Sequence, residues 1–402
     1  MKILHVHNYH AGRGGMEVIY EYTTRLLRQG GHEVIELTLD SKSLDSPLKK
    51  LGAFGSSVYS VSAYRKTREL IEAHRPDLAH VHNLYPMFST SVFSACRAKG
   101  VPVVMNVQDY KLTCPMGQHL RNGSICTKCL DGSVVWSAVH ACKGGRLESG
   151  AYAISHGITR LRRAYQRGVD LFVTPARFTA DYLVRAGYDR SRIVVIPNMS
   201  DLPPAPPAKG DGEYAAFVGR ISPEKGLDVL INAARISNIP VRIAGSGTLA
   251  NRDKLPENVR FVGSLSREAL PEFYCGARFV VIPSIWQEVF SVVTLEAMGM
   301  GIPVIASKTG GLAEVFEHER SGIYVPPGDA QALAGAMRRL WDDPASCRQM
   351  GEAARQEAIE RYSPEAFLER LTAAFERVLN QRGARTVESL AVAKQDHSEN
   401  FV

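Results

Sequence analysis

Short apolar runs alternate along the chain with amphipathic stretches of helical period. "KILHVHN", "HEVIELTL", "DLAHVHN", "VPVVMNV", "VDLFVTP" and "IVVIPN" read as strands. Between them, "GMEVIYEYTTRLLRQG" and "YRKTRELIEAHR" read as helices. After the proline-rich "IPNMSDLPPAPPAKGDG" the alternation restarts with "EYAAFVGR", "VRIAG", "VRFVG", "FVVIPS" and "PVIAS". Apolar strands separated by helices predict parallel sheets covered on both faces. Two such sets predict an α/β fold of two doubly wound, Rossmann-like domains.

The N-terminal domain is expected over residues 1–198 and the C-terminal one over 213–362, joined by a linker at 199–212. Prolines there can neither pair in a sheet nor extend a helix. A helix over 363–383 is expected to pack back toward the N-terminal domain, and the weakly periodic tail 384–402 to be disordered. Open α/β sheets bind ligands beyond the carboxyl ends of their strands, so the cleft between the domains is the expected site.

Composition narrows the class. The 402 residues are 45% hydrophobic and 22% charged, and no apolar run approaches the roughly 18 residues that cross a bilayer. The start, "MKILHVHNY", reads as a strand and lacks the apolar core of a leader peptide, so a cytoplasmic protein is expected. Lys and Arg number 48 against 41 Asp and Glu, a net charge of +7. That modest excess suits anionic small ligands or an acidic membrane surface, and does not argue for nucleic acid.

Candidate chemistry sits at strand-to-helix junctions. In "FVGRISPEKGLDV", Gly219, Arg220, Lys225 and Gly226 lie between a strand end and a helix start. A forked guanidinium, a point ammonium and a positive helix end together suit a phosphate, and a solvated surface turn is the bland alternative. "YHAGRGGMEV" also follows a strand, and its Gly12, Gly14 and Gly15 miss the dinucleotide spacing while permitting close backbone approach. In "IPSIWQEVFSVVTLEAMGMGIPVIAS", Glu288 and Glu296 interrupt an apolar run. A buried carboxylate without a partner is costly. Glu288 is expected in a loop at the cleft and Glu296 within a helix starting near Ser291, whose first amides can hold an oxyanion.

Taken together, the Glu288–Glu296 spacing, "EAMGMGIPVIAS", "GGLAEVFEHERSGIYVPPGD", "GRISPEKG" and the Gly-rich first loop resemble glycosyltransferase family 4 over nearly the whole chain. The resemblance implies the GT-B fold, a nucleotide-sugar donor (UDP-linked here), retention of anomeric configuration and no catalytic metal. By position it implies that Arg220, Lys225 and the Phe290, Ser291 and Val292 backbone hold the donor diphosphate. Glu288 would take hydroxyls of the donor sugar, a hexose, and Glu296 those of the ribose. Gly263, Ser264 and Leu265 would face the base, and Gly14 and Gly15 would lie near phosphates and acceptor. The acceptor would be a glycan or lipid-linked saccharide in polysaccharide or cell-surface glycan synthesis. Where members often carry a His-Asp or His-Asn pair, this chain has Gln108 and Asp109. Gln108 can hydrogen-bond a sugar but cannot carry charge. A GT-B epimerase or phosphorylase and a non-catalytic nucleotide-sugar-binding module are the rival readings.

Three further features stand outside that pattern. Cys114, Cys126, Cys129 and Cys142 lie within an insertion at 114–142, and four thiolates make a closed structural zinc site. An iron–sulfur cluster, a redox pair and unlinked thiols are the alternatives, and some members of the resembled family carry a similar set. Cys96, Cys275 and Cys347 read as ordinary buried residues. "HVHN" occurs twice, and alternation puts His5 with His7, and His80 with His82, on one sheet face. They read as polar strand ends lining the acceptor side of the cleft, with a four-histidine metal site as the lesser reading. "HGITRLRRAYQRG" mixes four arginines with apolar residues, as a solvated helix face or as a peripheral contact with anionic lipid.

Overall fold

The computed structural model describes residues 1–10, 14–41, 58–200, 211–247 and 255–399, with side chains through 383. Most of the linker, 201–210, and Gly12 of the first loop lie outside the described residues.

Leaving aside a short hairpin described below, the N-terminal strands are β1 (Lys2–Tyr9), β2 (Glu33–Asp40), β3 (Leu78–Val81), β4 (Val103–Asn106), β5 (Leu171–Thr174) and β6 (Ile193–Val195). They form one sheet in the order β2-β1-β3-β4-β5-β6, every pair parallel. The second sheet holds β7 (Tyr214–Val218), β8 (Val241–Ala244), β9 (Val259–Gly263), β10 (Ala277–Ile282), β11 (Val304–Ser307) and β12 (Gly322–Val325). Its order is β9-β8-β7-β10-β11-β12, again all parallel. The strand order reverses at β1/β3 in the first sheet and at β7/β10 in the second. These are the switch points, where strand ends splay and leave room for a ligand.

Strands β3, β4, β11 and β12 are buried at every position, as strands covered on both faces must be. β12, "GIYV", is short and follows the charged "EHERS", so hydrophobic periodicity alone passes over it. The helices that matter below are α1 (Gly15–Gln29), α2 (Arg146–Leu161), α3 (Leu227–Ser237), α4 (Val292–Gly299), α5 (Pro344–Tyr362) and α6 (Pro364–Glu399). Between β4 and β5 sits the insertion, a two-residue hairpin (Leu120–Arg121 with Ser124–Ile125) and two short helices ahead of α2.

α6 leaves the C-terminal domain and lies on the N-terminal one. Phe367, Leu371, Ala374, Phe375 and Val378 repeat at helical spacing and are buried against Ile3, Leu27, Val104 and Leu171. The helix backbone runs on to Glu399, past residue 383, where the sequence reading expected disorder to begin. Gly383 weakens a helix by only about 1 kcal/mol, and neither proline nor a turn cluster follows to stop it.

Leu371 is fully buried in this junction. Leu371→Ala should cost about 2–5 kcal/mol, as other large-to-small core changes do. A denaturation midpoint unchanged from wild type would mean that α6 is not docked as described.

Candidate functional site

The switch point of the second sheet gathers the charged residues. β7 ends at Val218, and the loop after it carries Arg220 and Lys225. β10 ends at Ile282, and the loop after it carries Ser284, Trp286 and Glu288 before Ser291 caps α4. Lys225 Nζ stands 2.6 Å from Glu288 Oε1, and the Ser284 hydroxyl donates to the same oxygen at 2.5 Å. Glu288 is only 4% exposed. The carboxylate therefore has the partners that burial requires, a cation and a hydroxyl. Lys225 also lies 5.6 Å from the Trp286 ring centre.

Glycine makes this approach geometrically feasible. Gly226 sits in the left-handed region at φ +69°, and a Cβ there would fall 1.9 Å from the Pro283 carbonyl oxygen. Only a bare Cα lets the Lys225 turn lie so close to the end of β10. Gly310 and Gly311 do the same from the β11 side. A Cβ on Gly311 would meet the Val289 carbonyl oxygen at 2.0 Å, and its amide donates to Glu288 O at 2.6 Å. Arg220 is the more open cation. Its side chain is 54% exposed, and its guanidinium pairs at 3.2 Å with Glu224.

Glu296 lies inside α4, buried, and accepts a hydrogen bond from the Tyr274 hydroxyl at 2.8 Å. Burial, and then this carboxylate, push the Tyr274 phenol well above its usual range. Ser291 accepts from Thr294 N at 3.2 Å, which ties one amide of the first turn. Gly263, Ser264 and Leu265 leave the sheet at the C-terminal end of edge strand β9.

The N-terminal domain faces this loop directly. A Cβ on Gly15 would lie 3.8 Å from Val292, so the first turns of α1 and α4 meet. The Gly14 amide donates to buried Glu17 at 2.8 Å, and His10 N donates to the other oxygen at 3.1 Å. Tyr182 donates to Gln287 at 2.6 Å. Glu314 accepts the amides of Arg177 and Phe178 at 2.8 and 2.7 Å, a carboxylate at a helix N-terminus. Gln108 and Asp109 line a cavity on this side with Met16, Asn83, Lys111 and His156. Gln108 forms a two-way amide pair with Asn198, at 2.9 and 3.0 Å. Asp109 holds Lys111 Nζ at 3.1 Å.

The histidines differ from the sequence reading. His5, His7 and His80 have no exposed surface. They lie under α1 and α6 against Tyr20 and Phe375, instead of lining an open cleft. Only His82 reaches the cavity wall. Burial drives His5 and His82 far below the ordinary imidazole range, and His7 and His80 to about 3. The strands' alternation gives a shared face correctly, but not which helices cover it.

The four insertion cysteines share one neighbourhood. Burial, and then the neighbouring Cys114, Cys142 and Cys126, push the Cys129 thiol up to about 12. Four thiols gathered in one place are a donor set that a dication would hold. Among the described residues, though, the ligand atoms that already lie within 4.8 Å of one another are those of His5, His80 and His82. Cys96 and Cys347 are buried as expected, whereas Cys275 is exposed.

Residues that sequence reasoning missed are Glu17, Ser284, Tyr182, Asn198 and Glu314. Glu17 and Glu314 act through backbone amides and Tyr182 and Asn198 on partners distant in the chain, while Ser284 reaches Glu288 across a loop whose turn no periodicity fixes. Gly310 and Gly311 were legible as a Gly-Gly pair after a strand.

Comparison with known proteins follows the same division. Residues 13–202 match the family described as Glycosyltransferase Family 4, and residues 199–357 match Glycosyl transferases group 1. An uncharacterized glycosyltransferase of Methanocaldococcus jannaschii is 35% identical over 166 residues, 38% of this chain and 42% of that protein. Glycogen synthase of Mycobacterium tuberculosis is 31% identical over 240 residues, 55% of this chain and 57% of that protein. These matches span about half the length of the curated relatives. In fold, Anabaena HepE in complex with UDP superposes with a TM-score of 0.67 at 19% identity, covering 94% of this chain and 100% of that one. HepE has also been solved with UDP-glucose. With one family match on each doubly wound domain and the GT-B arrangement of both sheets, the chain belongs to the family 4 glycosyltransferases.

Proposed function

We propose that the protein is a retaining glycosyltransferase that moves a hexose from a UDP-linked donor to a glycan or lipid-linked saccharide, in polysaccharide or cell-surface glycan synthesis. One observation carries the reading: a cation and a carboxylate, Lys225 and Glu288, are held together at the switch point of the C-terminal sheet. A nucleotide sugar brings both of the groups they would serve, an anionic diphosphate and a ring of hydroxyls. The UDP and UDP-glucose bound by Anabaena HepE support the choice of donor.

Breaking the bond between the sugar and the diphosphate leaves positive charge on the anomeric carbon and negative charge on the departing oxygens. Stabilising that oxyanion is the largest effect an enzyme can supply here. Lys225, Arg220 and the first amides of α4, from Phe290 to Val292, take this role. Glu288 holds hydroxyls of the sugar, and Glu296 those of the ribose. Gly263, Ser264 and Leu265 face the base. The acceptor enters from the N-terminal side, past Gly14, Gly15, Gln108 and Asp109. Its hydroxyl oxygen bonds to the anomeric carbon on the face that the diphosphate leaves, and its proton passes to the leaving oxygen. This route gives retention without an enzyme nucleophile or a catalytic metal.

Two accessory features belong to the same proposal. Cys114, Cys126, Cys129 and Cys142 would hold a structural zinc that ties the insertion together. α2 would rest on an anionic membrane surface. Its Leu147, Ile154 and Leu161 recur every seventh residue and are 93%, 60% and 87% exposed. Arg160, Arg162 and Arg163 stand beside them, and Val135, Trp136 and Val139 of the neighbouring helix are also exposed. Among the described residues no helix is long and apolar enough to cross a membrane.

Lys225→Ala should lower acceptor-free hydrolysis of the nucleotide sugar by about 10²–10³-fold, on the scale of losing one oxyanion partner. Thermal unfolding run alongside separates this from misfolding, and undiminished hydrolysis refutes the role. Glu288→Gln should act mainly on kcat and Glu296→Gln mainly on donor KM, each by about tenfold. The reverse split would overturn the two assignments. In liposome flotation, wild type should rise with anionic vesicles in a salt-sensitive way and Leu147→Asp/Leu161→Asp should not. Equal flotation of both, or none, counts against the membrane contact.

A further inference from the structure

The pairing of β1 with β3 sets His5 directly beside His80 in register. Two residues on, His82 turns back over the same spot. The His5 and His80 rings stack at 4.9 Å and 3°. His82 stands edge-on to both, at 4.8 Å from His5 and 4.5 Å from His80. One ring nitrogen from each of the three lies within 4.8 Å of the other two. His5 and His80 have no exposed surface, and His82 is 6% exposed.

The protonation of His5 follows from its neighbours. Thr24 Oγ1 lies 2.9 Å from His5 Nδ1 and 2.9 Å from the Tyr20 carbonyl oxygen. A carbonyl only accepts, so the hydroxyl proton goes to Tyr20, and Nδ1 must be the donor to Thr24. His5 Nε2 is then a bare lone pair. Among the described residues nothing meets it, nor either nitrogen of His80 or His82. A buried polar atom without a partner destabilises the fold, and five such atoms in one place call for a common partner. A hydrogen bond from the distal nitrogen that fixes a ring's tautomer is also how metal-binding histidines are held.

We propose that His5, His80 and His82 form a buried structural site for a first-row transition dication of the zinc type, clamping β1 to β3 beneath α1 and α6. Three imidazoles and no carboxylate select zinc, copper or nickel over magnesium or calcium. Zinc–nitrogen bonds of about 2.0–2.1 Å would draw the nitrogens to about 3.3 Å from one another in tetrahedral geometry, and because a metal lies in the plane of each imidazole that holds it, binding would turn the stacked His5 and His80 rings out of parallel. His7, on the same face and 6.2 Å from the His82 ring, is the nearest further imidazole. The site is separate from the insertion cysteines and from Lys225 and Glu288. Because the rings are buried, the ion enters as the domain folds.

The test uses tag-free protein refolded with Co²⁺ and freed of excess metal. Wild type should retain cobalt with ligand-field bands of nitrogen coordination, beyond whatever cobalt carries a thiolate charge-transfer band. Cys126→Ser/Cys129→Ser should keep those nitrogen bands. His5→Asn/His80→Asn should lose one equivalent of cobalt and the same bands. X-ray absorption on the zinc-loaded wild type gives a second reading if either variant fails to fold, with nitrogen-only coordination expected for at least one ion. No retained metal, or metal bound through sulfur alone, overturns the proposal. Sulfur coordination alone would leave the cysteine site standing, and nitrogen coordination alone would remove it.

Discussion

The contact between Lys225 and Glu288 organises the C-terminal half of the molecule. A carboxylate as buried as Glu288 is tolerated only with compensation, and removing one member of such a pair costs about 3–5 kcal/mol. The fold meets that demand from three strands at once. β7 delivers the ammonium by way of Gly226, β10 delivers Ser284, and β11 delivers the Gly311 amide that pins the Glu288 backbone. The close approaches at Gly226, Gly310 and Gly311 are consequences of bringing three loops to one carboxylate. The donor proposed for this site would meet groups already paired and oriented, which would leave little reorganisation for binding.

Much of the architecture was legible because doubly wound domains write themselves in local pattern. The apolar runs and intervening helices appear in the structure in their expected order, and the restart after the proline-rich segment separates the two sheets. The short β12 was not legible, since four residues after a charged turn carry no period of their own. For the site, strand-end glycines and charges pointed to Arg220, Lys225 and Glu288. The pattern could not reveal that Lys225 and Glu288 face each other, because 63 residues separate them. Nor could it reveal that Gln108 spends its amide on Asn198, 90 residues away.

The histidines mark the limit of such reading most clearly. Alternation correctly put His5 with His7, and His80 with His82, on one face of its own strand, and the β1–β3 register brings the two pairs together. It said nothing of what covers that face, and the polar character of imidazole suggested solvent. The cover is α1 and α6, and α6 arrives from the far end of the chain. Burial is thus decided by the last helix acting on the first strand.

That last helix also has a mechanical meaning. The chain passes between the domains twice, once at 199–212 and once where α5 gives way to α6. The two passages lie side by side, for the Ser200 amide donates to the Tyr362 carbonyl at 3.3 Å. Two tethers far apart would lock the domains, and a single one would leave them free to swivel. Two tethers bonded together make a pivot, so any rotation of one domain on the other would turn about this corner. Such a rotation would part the first turns of α1 and α4, which meet at Gly15 and Val292, while the corner itself stays closed, as the rivet of a pair of scissors does.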